Sequence, residues 1–281
     1  MQNISVIGAG IMGHGIAQIA ALSGYNVVLR DINHDMLEKG LQNIDRSLNL
    51  MIKSEKITET EKKKCIQKIQ VKTNLYESVK ESDLVIEAIP EVLSLKQELF
   101  QQLDEICPPE TILATNTSQL SVTLIGSKVL RKEKIIGTHF FNPVPVMKLV
   151  EIIKGLETSE ETLQTVQTFC HTIGKETVVC NKDTPGFITT RLLLAQRAEA
   201  FRLYEEGVAT IEDIDKAMRL AFKHPMGPFQ LADLAGLDTG LKALTSMEEN
   251  YGERFKSPTY LKQMVALGYL GKKKGKGFYE Y

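Results

Sequence analysis

The 281-residue chain has no tryptophan and only four cysteines, Cys65, Cys107, Cys170 and Cys180, none in a Cys-x-x-Cys pair. That scatter argues against a zinc ribbon or a secreted disulfide framework and favours a reducing compartment, and no metal is expected. Long apolar runs are also missing. The most apolar windows, such as Ile16–Leu22 and Leu192–Ala195, fall far short of the ~18 residues a membrane span needs. Met1 is followed almost at once by Ile4-Ser5-Val6-Ile7 and a glycine turn, so no secretion signal and a cytoplasmic location are expected. Neither charge is in excess: Lys and Arg number 34 and Asp and Glu 35, a net charge of −1. No global field is available for nucleic acid or an anionic membrane, so neither is expected as a partner, and only local basic clusters remain to bind a compact anion.

The composition, 43% hydrophobic and 25% charged, is that of a folded globular protein long enough for about two domains. Short β-like runs at Ile4–Ile7, Asn26–Arg30, Gln70–Thr73, Leu84–Ala88, Ile112–Thr115, Ile135–His139 and Leu149–Ile153 alternate with amphipathic stretches, and Lys175–Cys180 adds another. This rhythm predicts an α/β fold with a Rossmann-type, mainly parallel sheet. A proline-free segment from Asp35 to Ile69 reads as an insertion of two helices joined around Ser54–Thr60. After Asp183 strand signals stop. Asp183-Thr184-Pro185-Gly186 is turn chemistry, and helical patterns follow from Phe187 onwards, so the expected domains are 1–183 and a smaller all-α block, 184–281. Phe187, Leu192, Leu193, Leu194, Phe201 and Leu203 exceed what one helix needs to meet one neighbour, which predicts a homodimer formed through this block.

Gly8-x-Gly10-x-x-Gly13 follows the first strand and opens a helix. Gly8 permits a tight turn, Gly10 lets a pyrophosphate approach the backbone, and Gly13 lets helix and strand pack closely. The next strand ends at Asp31, where a carboxylate accepts hydrogen bonds from ribose hydroxyls and repels a 2′-phosphate. NAD rather than NADP is the expected cofactor. Of five histidines, His139 stands apart because it ends a strand, where a parallel sheet delivers side chains to its ligand crevice. Glu151, an acid in Leu149-Val150-Glu151-Ile152-Ile153, needs a partner if buried, and a turn at Pro143–Pro145 would bring it to His139.

Gly8-Ala9-Gly10-Ile11-Met12-Gly13, Asn116-Thr117-Ser118, His139-Phe140-Phe141-Asn142-Pro143, Met147-Lys148-Leu149-Val150-Glu151, Asp183-x-Pro185-Gly186-Phe187 and His224-Pro225-Met226-Gly227-Pro228 occur in that order. Together they resemble the L-3-hydroxyacyl-CoA dehydrogenase family over essentially the whole chain, and its stand-alone bacterial 3-hydroxybutyryl-CoA dehydrogenases most of all. The resemblance implies an NAD-dependent oxidoreductase acting on an acyl-CoA thioester, with His139 as general base, Glu151 as its orienting partner, and Ser118 at the substrate. Cofactor contacts would come from Gly8, Gly10, Ile11, Met12, Gly13, Asp31, Glu91, Lys96, Asn116, Ser118, Asn142 and the tail residue Lys273. Ser47, Lys53 and Lys56 of the inserted helices would meet the coenzyme's phosphates, with Ser118 and Thr190 nearer the acyl group.

One departure is visible: Thr190 stands where the family commonly has asparagine. A hydroxyl donates one hydrogen bond and lacks the reach and two-donor fork of an amide. Two other readings are a related dehydrogenase of a free hydroxy acid and a non-catalytic dinucleotide-binding protein. The first has no use for a basic coenzyme platform; the second would be marked by loss of His139 or Glu151, and both are present.

Overall fold

The computed structural model describes residues 1–281. The chain divides into two compact units, Met1–Phe187 and Ile188–Tyr281, a few residues beyond the boundary expected at 183.

The first unit is built on eight strands, β1 (Asn3–Ile7), β2 (Asn26–Arg30), β3 (Ile69–Lys72), β4 (Leu84–Glu87), β5 (Ile112–Thr115), β6 (Ile135–Phe140), β7 (Leu149–Lys154) and β8 (Glu176–Cys180). Their order across the sheet is β3-β2-β1-β4-β5-β6-β7-β8. All neighbours are parallel except β6 and β7, which the short Pro143–Pro145 connection makes antiparallel. Every residue of β4, β5 and β6 is buried, as strands covered by helices on both faces require. The order reverses beside β1, and the C-terminal ends of β1 and β4 frame the crevice where this architecture takes its ligands.

The helices of this unit are α1 (Gly13–Leu22), α2 (His34–Lys53), α3 (Glu59–Gln67), α4 (Leu75–Val79), α5 (Leu93–Ile106), α6 (Val122–Ile125) and α7 (Glu160–Thr172). Together α2 and α3 form the expected insertion. The first is capped by Asn33, whose side chain accepts from the Met36 N–H at 2.9 Å, and it buries Leu37, Gly40, Ile44 and Leu48 at helical spacing. The second starts in a reciprocal capping box between Thr58 and Glu61.

In the second unit α8 (Thr189–Glu205), α9 (Ile211–Phe222), α10 (Pro228–Ala235), α11 (Leu237–Tyr251) and α12 (Thr259–Ala266) surround a core that includes Leu194, Phe201, Phe229, Leu244, Met247 and Phe255. The helix expected from Phe187 begins two residues later. Phe187 has φ of 47°, a left-handed conformation that cannot continue a helix, and it is buried in the first unit. Leu194 and Phe201 also belong to a core, so of the apolar residues expected on a dimer surface Leu192 and Leu193 are the ones left exposed. The tail is anchored through buried Asp233, which accepts from the N–H groups of Phe278 and Tyr279, both at 2.9 Å. No helix is long and apolar enough to cross a membrane.

Helix α1 meets β1 at two glycines. A Cβ on Gly13 would land on the carbonyl oxygen of Gly8, and Gly8 itself has φ of 105°. Gly13→Ala must therefore move helix from strand. The expected cost is about 2–3 kcal/mol, or roughly 5–10 °C in Tm, measured by thermal unfolding of the purified variant.

Candidate active site

The glycine turn leaves β1 and presents the first N–H groups of α1. Gly10 has nothing within 4 Å of a built Cβ, so the backbone lies open there to a close-approaching phosphate. Asp31, just beyond β2, is fixed by two backbone donors: Oδ2 accepts from the Ala9 N–H and Oδ1 from the Ile32 N–H, both at 2.7 Å. Each oxygen keeps a lone pair for a ribose hydroxyl. An open glycine, a helix N-terminus and an anchored acid in this register fit the dinucleotide. Ile11, 70% exposed, and partly buried Met12 complete the turn.

On the other side of β1, the end of β4 carries Glu87, buried completely with Lys96 of α5. The Lys96 ammonium donates to Glu87 Oε1 at 2.6 Å and to the Ile89 carbonyl at 3.3 Å. It also lies 3.4 Å from Glu91 Oε2. Glu87 further accepts from the Ile89 N–H at 2.7 Å and from the Thr115 hydroxyl at 2.6 Å. Burial pushes the Glu87 carboxyl up, against the pull of Lys96 and these donors. At Glu91 burial acts in the same direction, but Lys96 and donors from Thr117, Ser118 and Gln119 outweigh it and hold the carboxyl below its ordinary value. Lys96, expected to touch the cofactor, has no exposed surface here, because its long stem runs inward to Glu87.

The loop after β5 is held from two directions. Glu91 Oε1 accepts from the Thr117 hydroxyl at 2.6 Å and from the Ser118 N–H at 2.8 Å, with the Ser118 hydroxyl at 3.2 Å. Asn116 accepts from the Phe140 N–H at 2.9 Å, which ties this loop to β6. At the end of β6, His139 is directly opposite Glu151 in the antiparallel register, and Nδ1 lies 2.7 Å from Glu151 Oε2. Glu151 is fully buried, whereas His139 keeps 8% of its surface. Phe141 lies beside the imidazole, with ring centroids 4.4 Å apart.

A cavity of about 520 Å³ opens between α1, α2 and the β6–β7 connection, lined among others by His14, Ser47, Met51, Lys56, Asn142 and Val144. Ser47 and Met51 share one face of α2, and Ser54, its C-cap, continues that lining. Lys53, grouped with Ser47 and Lys56 by the sequence, is instead on a shallow groove with Leu41, Asp45 and Asn49; six residues from Ser47, it is rotated off the cavity face. Asn142, which precedes Pro143 in a cis peptide bond, is part of the cavity lining. In the second unit Thr190 is partly buried in the first turn of α8, and the Lys273 ammonium is engaged by the Asp238 carboxylate at 2.6 and 2.8 Å. Sequence reasoning overlooked Glu87, although Leu84-Val85-Ile86-Glu87 carries a signal like that of Glu151, an acid set against branched apolar residues. It also overlooked Lys175, whose buried ammonium donates to the carbonyls of Val144 at 2.5 Å and Met147 at 2.6 Å. Neither a carboxylate nor a motif marks that role in the sequence.

A crevice at the strand-order switch point, with a glycine turn and an acid after the second strand, defines an NAD-dependent oxidoreductase. Comparison with known proteins makes the class specific. Residues 3–184 match the family model for the 3-hydroxyacyl-CoA dehydrogenase NAD-binding domain, and residues 186–281 match that for the 3-hydroxyacyl-CoA dehydrogenase C-terminal domain. A probable 3-hydroxybutyryl-CoA dehydrogenase of Bacillus subtilis is 46% identical, the alignment covering 100% of this chain and 98% of the relative. The mitochondrial hydroxyacyl-coenzyme A dehydrogenase of Rattus norvegicus is also 46% identical, over 100% of this chain and 91% of the relative. The crystal structure of (S)-3-hydroxybutyryl-CoA dehydrogenase from Ralstonia eutropha superposes with a TM-score of 0.96 at 40% identity, covering 100% of this chain and 99% of that one. The chain belongs to the 3-hydroxyacyl-CoA dehydrogenase family.

Two substitutions separate the parts of the cofactor site. Gly10→Ala adds a methyl group into open space, so Tm is expected to stay within about 2 °C while NADH affinity falls roughly tenfold or more. Asp31→Asn removes the carboxylate that meets ribose hydroxyls or repels a 2′-phosphate, and is expected to narrow the preference for NADH over NADPH by about tenfold. Fluorescence titration with both nucleotides checks each.

Proposed function

We propose that this protein interconverts (S)-3-hydroxyacyl-CoA and 3-oxoacyl-CoA thioesters, with 3-hydroxybutyryl-CoA and acetoacetyl-CoA as the representative pair. The observation that carries the reading is the 2.7 Å contact of His139 with Glu151 at the strand ends beside the cofactor crevice. The names of the relatives support the substrate class.

In this reading the imidazole takes the proton from the substrate 3-hydroxyl through Nε2 while Nδ1–H donates to Glu151. The carboxylate selects that tautomer and stabilises the imidazolium as it forms. When bound, NAD would accept the hydride that leaves the substrate's C3 as the 3-hydroxyl becomes a carbonyl. In reverse, the His139 imidazolium returns the proton to the 3-oxo oxygen. Ser118 and Asn116 hydrogen-bond substrate and nicotinamide ribose, Glu91 secures their loop, and Asn142 and Lys273 complete the cofactor contacts. Ser47 and Lys56 meet the coenzyme's phosphates from the cavity, and Lys53, on the neighbouring groove, adds positive charge nearby. Thr190 gives the acyl group one hydroxyl contact in place of an amide. The functional unit is a cytoplasmic homodimer joined through the helical block, with exposed Leu192 and Leu193 as its apolar contribution.

The test follows nicotinamide absorbance with NADH and acetoacetyl-CoA. Turnover is expected with the thioester, and at least ~100-fold lower kcat/KM with free acetoacetate, because the binding energy of the carrier is lost. Turnover favouring acetoacetate would support a free hydroxy acid dehydrogenase instead. His139→Gln should lower kcat by about 10²–10⁴-fold and leave NADH affinity within about twofold; undiminished turnover would remove His139 from its assigned role.

A further inference from the structure

We propose, on the acyl-CoA reading above, that His14 is a proton-linked ligand for a phosphate of the coenzyme, its imidazole taking up a proton as the carrier enters the cavity between α1 and α2. His14 stands in the first turn of α1, directly after Gly13, and is partly buried. Its Nδ1 lies 2.7 Å from the Gly10 carbonyl oxygen. A carbonyl only accepts, so Nδ1 carries the hydrogen and donates it. That contact holds the ring against the glycine turn and leaves Nε2, in the neutral imidazole, as a lone pair without a proton. The same side chain lines the cavity.

The charged lining of this cavity is of one sign. Arg46 comes from α2 and Lys56 from the segment that follows it. Helix α1 adds no charged side chain besides His14, and the β6–β7 connection contributes only Asn142 and apolar residues. No carboxylate lines the cavity, and Ser47 adds a hydroxyl. A guanidinium and an ammonium without an acid among them suit a compact anion, and the N-terminal turn of α1 adds partial positive charge of its own.

Towards such an anion the two forms of His14 behave oppositely. The neutral ring presents a lone pair at Nε2, which repels a phosphate oxygen, whereas the imidazolium presents an N–H and a charge. Entry of a phosphate therefore favours the protonated ring, and the affinity gains a contribution that is present at low pH and lost as pH rises through the range in which histidine discharges. Arg46 and Lys56 keep their charge throughout that range, so pH separates the part of His14 from theirs. A phosphomonoester on the coenzyme also titrates near pH 6, in the opposite sense, but it does so whichever protein it meets. The difference between wild type and a His14 variant is then the quantity that reports the imidazole.

The test is calorimetric titration with coenzyme A at about pH 6 and about pH 8, in wild type, His14→Gln and His14→Asn. Glutamine offers a neutral N–H in place of Nε2 and never becomes charged; asparagine offers a donor to the Gly10 carbonyl in place of Nδ1 and leaves the cavity position empty. At about pH 6 wild type is expected to bind coenzyme A about tenfold more tightly than either variant, and at about pH 8 within about threefold of both. Near pH 7, titrations in buffers of different ionisation heat should show wild type taking up about half a proton more per coenzyme bound than the variants do. A glycine turn disturbed by the substitution weakens binding by the same factor at both pH values. A ratio of wild type to variant affinity that is the same within about twofold at the two pH values overturns the proposal and leaves the acyl-CoA reading standing; either variant that folds decides. Coenzyme A that binds neither wild type nor variant at either pH removes the acyl-CoA reading and the proposal with it.

Discussion

A sheet whose central strands are buried on both faces offers an ionisable group little or no water, so each acid placed in it has to be met by donors. Leaving a carboxylate buried without partners costs several kcal/mol, so its neighbours are specified almost as tightly as the acid itself. Glu87 at the end of β4 is met by Lys96, Thr115 and the Ile89 N–H; Glu151 on β7 is met by His139. The second unit follows the same rule, with buried Asp215 accepting from the N–H groups of Phe229 and Gln230 at the start of α10, where the helix dipole also favours an anion. Groups held this way have little freedom to reorganise, which is what a site that develops charge during reaction requires.

The antiparallel pairing of β6 and β7 has a particular part in this. A parallel neighbour would need a crossover of a dozen or more residues, and nothing local would fix which residue faced His139. The short return through Pro143 and Pro145 sets the register, and the strand period of two then puts Glu151 opposite the imidazole on the same face. A one-residue slip would turn the carboxylate to the other face of the sheet. Phe141, two residues after His139, lies against the ring.

Much of this was legible from residue types and spacing. The glycine turn, the acid after β2 and the histidine at a strand end all act close to where they stand in sequence. What was hidden depends on side-chain direction. Lys53 and Lys56 look equivalent as part of a basic segment, yet α2 ends at Lys53 and its rotation takes that residue away from the cavity face that Ser47 occupies. Lys96 is expected at the cofactor from the family resemblance, and only the packing of α5 shows its stem directed inward to Glu87. Phe187 fits a helical pattern by hydrophobicity, but its backbone conformation excludes it. Periodicity describes which residues share a face; it does not say where a long side chain ends.

Lys175 shows how far such a hidden contact reaches. Its ammonium draws together two carbonyls of the β6–β7 connection, and the same connection sets Val144 against α1 at Gly15. A Cβ on Gly15 would come within 2.8 Å of the Val144 Cβ, so the glycine is what lets the connection pack this closely on the cofactor helix. Val144 and Asn142 then line the cavity on one side, with His14 and Gly15 of α1 on another. The cofactor helix, the cavity and the strand carrying His139 thus share one short segment. A displacement of that segment would disturb all three together, although Lys175 itself is on none of those surfaces.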